Sequence, residues 1–447
     1  MNLRRWLMPG IGIKRWLGIV FLGLFLLALA VAHVVRQVTV GLHPAGLAGV
    51  LIDAVTLQFL PYALRGLIVG VVGIALIGIG GIQVLRAVTE PLRPSDRAEP
   101  LGEVLYQKRL LARGPRIVAI GGGTGQSALL RGLKEHTANL TAIVTVADDG
   151  GSSGTLRDVL GIPAVGDIRN CIAALADAEP LMTEFLGYRF PNEQQDGATA
   201  GSEMGRLGGH AIGNLLIAAL TAVEHGDFEA AVRRMNRVLA VRGQVLPVSS
   251  TPITLHARTR NGIVVSGQSR IMRTPGIEHV WITPADVIPA ADALTAIAEA
   301  EIIVLGPGSL FTSLLPVVLV PEIRKALARS SAVRIYVCNV ATQAGETAGY
   351  DLADHVEALA ANAASDLFDL VLANDRFDAR APSDWEAESV RLRWPPAVSP
   401  VPRLVNADVV DQANAHRHDP AKLASAILRS AEQEAALRRH AGEARTA

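Results

Sequence analysis

The sequence predicts an α/β fold of the Rossmann-like kind, a mostly parallel sheet with helices on both faces, preceded by an N-terminal transmembrane helical hairpin. Three observations carry this reading: short β-branched runs that lead straight into glycine- or aspartate-rich turns, helix-period segments between them, and two long uncharged apolar stretches near the start. The 447 residues suffice for one large α/β domain plus an appendage. With 42 basic and 42 acidic residues the formal net charge is zero, so bulk electrostatics do not draw the chain to nucleic acid and any anion site has to be local. Cys171 and Cys338 stand far apart without metal-type spacing, which reads as two small core residues in a reducing compartment.

Residues 1–90 are expected to form the hairpin. The run 16–35 is apolar apart from His33, and roughly twenty such residues let a helix cross the hydrocarbon layer. No small-residue cleavage site follows Val35, and a second uncharged, glycine-rich run follows at 67–85, so a span is expected rather than a cleaved leader. Arg4, Arg5, Lys14 and Arg15 before the pair, and Arg86, Arg93 and Arg97 after it, place both ends inside by the positive-inside rule. The expectation is a multi-pass protein of the cell membrane whose main domain is cytoplasmic. Residues 91–114, rich in proline and charge at their start, are read as a linker, and 115–430 as the nucleotide-binding domain.

That domain opens with Arg116 to Ile120, a β-branched run that enters Gly121-Gly122-Gly123-Thr124-Gly125 ahead of a helical stretch. Glycines let the backbone approach an anion, and the helix start offers N–H donors at a positive dipole end. Gly123, Gly125 and Ala128 fit the dinucleotide-binding spacing, and Asp148 follows the next strand about twenty residues later, where a ribose-binding acid belongs. A tight strand-to-helix turn without ligand is the plainer alternative.

The segment Asp148-Asp149-Gly150-Gly151-Ser152-Ser153-Gly154 adds two carboxylates beside a turn. Asp148 and Asp149 could hold Mg²⁺ or receive sugar hydroxyls while the turn amides take phosphate; equally, Asp and Ser could cap a helix starting near Leu156. Asp167, Arg169 and Asn170 open the following helix, with Arg169 a phosphate clamp or, alternatively, Asp167 in a buried ion pair with Arg169 or Arg157. His210 and Asn214 flank the start of an apolar helix, in either a ligand-binding or a capping and core role. Gly306, Gly308 and Ser309 follow a buried strand and precede Thr312, another helix-start anion site by the same logic; Asn339 and Thr342 follow the next. In an open α/β sheet such loops gather at the carboxyl ends of the strands, and five polar turns in that position point to a phosphorylated, nucleotide-type ligand. The last helix begins near Pro420, and residues 431–447 read as a charged, solvated tail.

The stretches GGGTGQSALLRGLK, VTVADDGGSSGTLRDVLGIPAVGDIRNCIAALAD, GHAIGNLLIAALT, IIVLGPGSLFTSLLPVVLVPEI and IYVCNVATQAGETAGYDLADHV together resemble the bacterial gluconeogenesis factor family, which is related to 2-phospho-L-lactate transferase. The resemblance runs from about Arg116 to about Leu428. It implies a Rossmann-like core that binds a UDP-sugar such as UDP-N-acetylglucosamine, and a regulatory role in carbon flux and cell shape; for such a regulator the expected partner is an envelope-synthesis protein, and the last helix could pack on the domain or on a second copy in a homodimer. The transferase relatives carry a second acid where this chain has Arg169, which lowers the carboxylate count for Mg²⁺ and phosphoryl transfer. The expected function is a membrane-tethered nucleotide-sugar-binding regulator, with a Mg²⁺-dependent transferase as the alternative. NAD-dependent redox chemistry uses the same glycine spacing but has no evident hydride-site acid or base.

Overall fold

The computed structural model describes residues 101–191, 207–380 and 387–446, together with the single positions 24, 25, 28 and 61. Apart from three of those single positions, the expected membrane runs 16–35 and 67–85 lie outside the described residues. Among the described residues no helix is long and apolar enough to cross a membrane, which overturns the expected multi-pass placement in the cell membrane. The physical reason lies in length and composition. The apolar helix Ile212–Val223 has 12 residues, about 18 Å of rise against the ~30 Å of a hydrocarbon core. The 27-residue helix Pro420–Thr446 is long enough but carries charge throughout its second half.

The chain divides into two compact units, Met1–Leu110 and Leu111–Ala447. Residues Leu101–Ala112, expected as linker, form a helix (α1). In the second unit the strands are β1 (Ile117–Gly121), β2 (Leu140–Val144), β3 (Gln244–Pro247), β4 (Thr254–Thr259), β5 (Val264–Ser266), β6 (Ile277–Thr283), β7 (Ile302–Leu305), β8 (Val333–Val337), β9 (Leu370–Asn374), β10 (Arg403–Ala407), β11 (Val410–Asp411) and β12 (Asn414–His418). Seven of them form one sheet in the order β10-β9-β8-β7-β1-β2-β3, and every pairing in it is parallel. The expected Rossmann-like α/β class is therefore observed. A small antiparallel sheet, β5-β4-β6, and the hairpin β11-β12 were not anticipated.

Why these segments become central strands follows from their composition. β1, β2, β7 and β9 are buried along their whole length, as continuous apolar runs are when helices cover both faces. The helices used below are α2 (Gly123–Leu133), α3 (Gly151–Leu160), α4 (Gly166–Leu175), α5 (Ile212–Val223) and α6 (Pro420–Thr446). The charged residues expected as a solvated tail continue α6 and are mostly exposed or half-buried, and two of them pair with the domain: Glu434 with Arg403 at 3.0 Å, and Arg438 with Asp369 at 2.7 Å.

The strand order reverses at β1. The chain proceeds outward through β2 and β3, then returns to the other side of β1 with β7 and continues outward through β8, β9 and β10. In open α/β sheets the crevice outside the carboxyl ends at such a switch point is the usual ligand position. Because all seven strands are parallel, the turns after β1, β2, β7, β8 and β9 emerge at one edge, as the sequence led us to expect.

Candidate functional site

Two glycine turns meet at the switch point. Gly121 closes β1 and Gly306 follows β7; a Cβ on Gly121 would lie 3.9 Å from the Gly306 Cα. Gly123 and Gly306 have φ of +70° and +78°, a region that side chains with a Cβ rarely enter. Gly122 is extended, and space is its constraint: a Cβ there would sit 2.5 Å from Asp167 Oδ2 and 2.7 Å from Thr145 Cγ2. Likewise a Cβ on Gly125 would come within 2.8 Å of the Pro307 carbonyl oxygen, and one on Gly308 within 3.0 Å of that of Gly122. The two turns are thus packed backbone to backbone. Helix α2 begins behind the first turn without a side-chain cap, so the amides of exposed Thr124 and half-buried Gly125 have no partner from the helix itself.

The second turn is braced from β8. Asn339 donates from Nδ2 to the Gly308 carbonyl at 2.9 Å and accepts the Gly308 N–H at 3.1 Å, and Gln343 Nε2 donates to Ser309 Oγ at 2.7 Å. Thr312 donates to buried Glu346, whose carboxyl also receives the Phe311 N–H at 3.4 Å. Burial pushes the Glu346 carboxyl up to about 7. Thr342, expected to meet the ligand, has partners in a neighbouring segment: its amide donates to Glu388 O at 2.8 Å, and its hydroxyl accepts the Glu388 N–H at 3.0 Å. Both bonds flank the bridge between Ala341 and Ser389, so Thr342 holds a neighbouring segment in place.

A second group of predicted residues gathers after β2. Helix α3 starts at Gly151 rather than near Leu156, and Gly150 precedes it without a side-chain cap, so Ser152 and Ser153 lie inside its first turn. Ser153 Oγ accepts the N–H groups of Val165 and Gly166 at 3.0 and 3.1 Å and donates to Asp148, whose Oδ1 accepts the Gly150 N–H at 3.0 Å. Burial, and then the neighbouring Asp149 charge, hold the Asp148 carboxyl above its usual range. Asp167, at the start of α4, accepts the Gly123 N–H and so links this group to the first glycine turn; burial, followed by the charge of Asp148, pushes it up to about 6.

Asp149 makes a contact that the sequence did not suggest. Its Oδ1 accepts the Ser269 N–H at 2.8 Å, which ties the β2 turn to the segment after β5. Arg169 is buried and its guanidinium is engaged by two amides, Asn170 Oδ1 at 2.8 Å from Nη2 and Asn214 Oδ1 at 3.0 Å from Nη1. Among the described residues it forms no ion pair with Asp167, and Arg157 donates to Thr254 Oγ1 at 2.6 Å. Asn214 Nδ2 meets Ser152 Oγ at 3.0 Å, and the same hydroxyl lies 3.1 Å from His210 Nδ1. Among the described residues, no group of three or more His, Cys, Asp and Glu side chains converges to hold a metal ion.

Comparison with known proteins fits this geometry. The family model described as 2-phospho-L-lactate transferase CofD matches residues 117–392, a span that contains both glycine turns and every acid of the site. The gluconeogenesis factor of Bacillus subtilis is 41% identical over 70% of this chain and 97% of its own length, and that of Halalkalibacterium halodurans is 41% identical over 70% and 95%. The chain belongs to the gluconeogenesis factor family. A relative from Nostoc sp. extends the similarity to 95% of this chain at 42% identity. A crystal structure of a upf0052 family member from Bacillus halodurans superposes with a TM-score of 0.62 at 40% identity, covering 71% of this chain and 99% of that one.

Within this member of the gluconeogenesis factor family, sequence reasoning missed the residues that brace the turns from a distance. Gln126 is wholly buried, and its Nε2 reaches the Ala119 and Ile143 carbonyls at 2.9 and 3.4 Å, joining α2 to β1 and β2. Glu346 and Gln343 lie 35 and 34 positions beyond the residues they hold in the second turn. The available signal was a lone acid and amide in the segment Thr342 to Thr347, directly after a strand.

Proposed function

We propose that the crevice binds a nucleotide-sugar, with UDP-N-acetylglucosamine as the leading candidate, and that the protein acts as a regulator linking carbon metabolism to cell-envelope synthesis and cell shape. The observation that carries this reading is the pair of glycine turns packed back to back at the switch point, with α2 uncapped behind them. Such a surface admits a diphosphate against bare backbone and offers it amide donors. Gly121, Gly122, Gly123, Thr124 and Gly125 face the diphosphate on this reading, and Gly306, Gly308 and Ser309 close its other side. Asp148 lies where ribose or sugar hydroxyls would be received. An envelope-synthesis protein that reads the ligand-bound surface, and a homodimeric form, belong to the same proposal. The name of the related gluconeogenesis factors supports the regulatory part.

A second reading, a Mg²⁺-dependent transferase of phospho-compounds, draws on the matched transferase family and on the neighbouring acids Asp148 and Asp167. Of the expected pair, Asp149 gives its Oδ1 to the Ser269 N–H, so Asp167, whose carboxyl feels the Asp148 charge, joins the acids that could hold a cation. A bound Mg²⁺ would stabilise charge on a transferred phosphoryl group. Calorimetry of the full chain against UDP-N-acetylglucosamine, UDP, GDP and NAD, with and without Mg²⁺, separates the two. UDP-sugar binding that is indifferent to Mg²⁺ is the expected result. Mg²⁺-dependent turnover of a diphosphate compound would replace the regulator with the transferase.

A further inference from the structure

We propose that His210 meets the ligand as a neutral imidazole donating from Nε2–H, its tautomer fixed by a one-way hydrogen-bond chain that starts at the Arg169 guanidinium. The ligand half of this rests on the nucleotide-sugar reading above; the tautomer half rests on geometry alone. Direction follows from counting donors and acceptors. A guanidinium can only donate, so the Asn214 atom 3.0 Å from Arg169 Nη1 is the carbonyl Oδ1. The other end of that amide is then Nδ2, which donates to Ser152 Oγ at 3.0 Å. The Ala211 N–H reaches the same oxygen at 3.3 Å.

A hydroxyl has one hydrogen and two lone pairs. With both lone pairs occupied, Ser152 retains only its O–H, and the acceptor within reach is His210 Nδ1 at 3.1 Å. Nδ1 therefore accepts, and the hydrogen of the neutral ring sits on Nε2. The opposite tautomer would crowd three donors onto one oxygen and strand the Ser152 hydrogen in a buried place. Arg169, Asn214 and Ser152 are all buried, so water does not substitute along the chain. Gly213 makes the route possible, since a Cβ there would lie 2.7 and 2.8 Å from Arg169 Cγ and Cδ. His210 is half-buried, and among the described residues nothing accepts from its Nε2. A neutral ring N–H in that position suits an oxygen acceptor on the ligand.

The chain assigns Arg169, Asn214 and Ser152 as positioning residues and His210 as the contact. The test uses the full chain labelled with ¹⁵N-histidine, with the His210 signals assigned by their loss in His210→Gln. At about pH 8, where free imidazole is neutral, the ring should show the Nε2–H coupling pattern in the apo protein. Ser152→Ala should turn that pattern into a tautomer mixture. Calorimetry with UDP-N-acetylglucosamine should show His210→Ala binding roughly tenfold more weakly, with His210→Gln, which keeps an N–H donor, recovering most of the loss. An Nδ1–H pattern in the wild type, or unchanged affinity in His210→Ala, overturns the proposal. If the wild type binds no UDP-sugar, the nucleotide-sugar reading fails together with the ligand half of this proposal, while the coupling pattern still decides the tautomer.

Discussion

The two edges of the seven-stranded sheet are made by the same strands and are built on opposite terms. At the amino edge Arg116, Asn139, Thr141, Gln244 and Glu299 line a cavity of about 380 Å³. Its polar groups are paired locally: Arg116 Nε donates to Glu299 O at 2.6 Å, Asn139 Nδ2 to Ala112 O and Gly114 O at 3.0 and 2.7 Å, and Gln244 Nε2 to Thr141 Oγ1 at 3.0 Å. At the carboxyl edge Gly123 and Gly306 hold positive φ, the amides of Thr124 and Gly125 have no partner from α2, and Asp148 and Asp167 are kept above the ordinary carboxylate range. Concavity alone therefore does not locate the site. Positive φ alone does not either, since Gly243 at the amino edge has φ of +92°; the proposed ligand position is supported by strained turns and raised carboxyls occurring together, which a bound ligand would relieve.

The strongest test of this contrast pairs one substitution from each edge. Gly122→Ala, whose methyl would overlap Asp167 and Thr145, should weaken UDP-N-acetylglucosamine binding by about a hundredfold, roughly 3 kcal/mol by calorimetry. Asn139→Ala at the amino edge should leave affinity unchanged, and equal losses in both would erase the distinction.

Glu346 tests whether the brace behind the second turn holds a protonated acid. Its carboxyl titrates at about 7 when folded and near 4.5 when free, so the folded state binds the extra proton between those values. Stability contributed by this group is then full below about 4.5, is lost as pH rises through 7, and amounts to roughly 3 kcal/mol. Urea denaturation should show that loss in the wild type relative to Glu346→Gln, with the two curves parallel if the acid is ionised throughout.

Asp149→Ala sharpens the comparison from the other direction, because its Oδ1 accepts the Ser269 N–H. Removal should cost about 1 kcal/mol of apo stability in thermal or urea unfolding and leave the Asp148 side of the crevice in place. A variant that loses ligand affinity at unchanged apo stability would restore Asp149 to the ligand. The smallest effect is expected at the amino edge, where Arg116→Ala removes an exposed 3.6 Å ion pair with Glu301 and the exposed Nε bond to Glu299 O, and should change stability by less than about 1 kcal/mol.

Much of the carboxyl edge could be read from the chain because most of its turns directly follow a β-branched run, Asp167 after α3 being the exception. Gly121 to Gly125, Asp148, Asp167 and Gly306 to Ser309 announce themselves locally, and a parallel sheet then gathers them. What could not be read depends on partners far along the chain. The contacts of Asp149 with Ser269 and of Arg169 with Asn214 could not be foreseen because the partners lie 120 and 45 positions away. Helix α3 was placed late because Gly150 and Gly151 are poor helix residues by propensity, yet Gly154 packs directly on the Asp149 carbonyl and the helix closes from Gly151. The strands β4, β5 and β6 were not foreseen, since their alternation of buried and exposed residues is carried by His256, Arg258, Glu278 and Trp281 as much as by aliphatic side chains.

The central claim, that the paired glycine turns bind the ligand, is tested most directly by hydrogen exchange of the full chain with and without saturating UDP-N-acetylglucosamine. Slowed exchange at the amides of residues 121–125 and 306–309, with the amino-edge residues 116–118 and 139–141 unaffected, is the predicted result. Ligand-induced slowing confined to the amino edge, or none at either glycine turn under saturation, would contradict it.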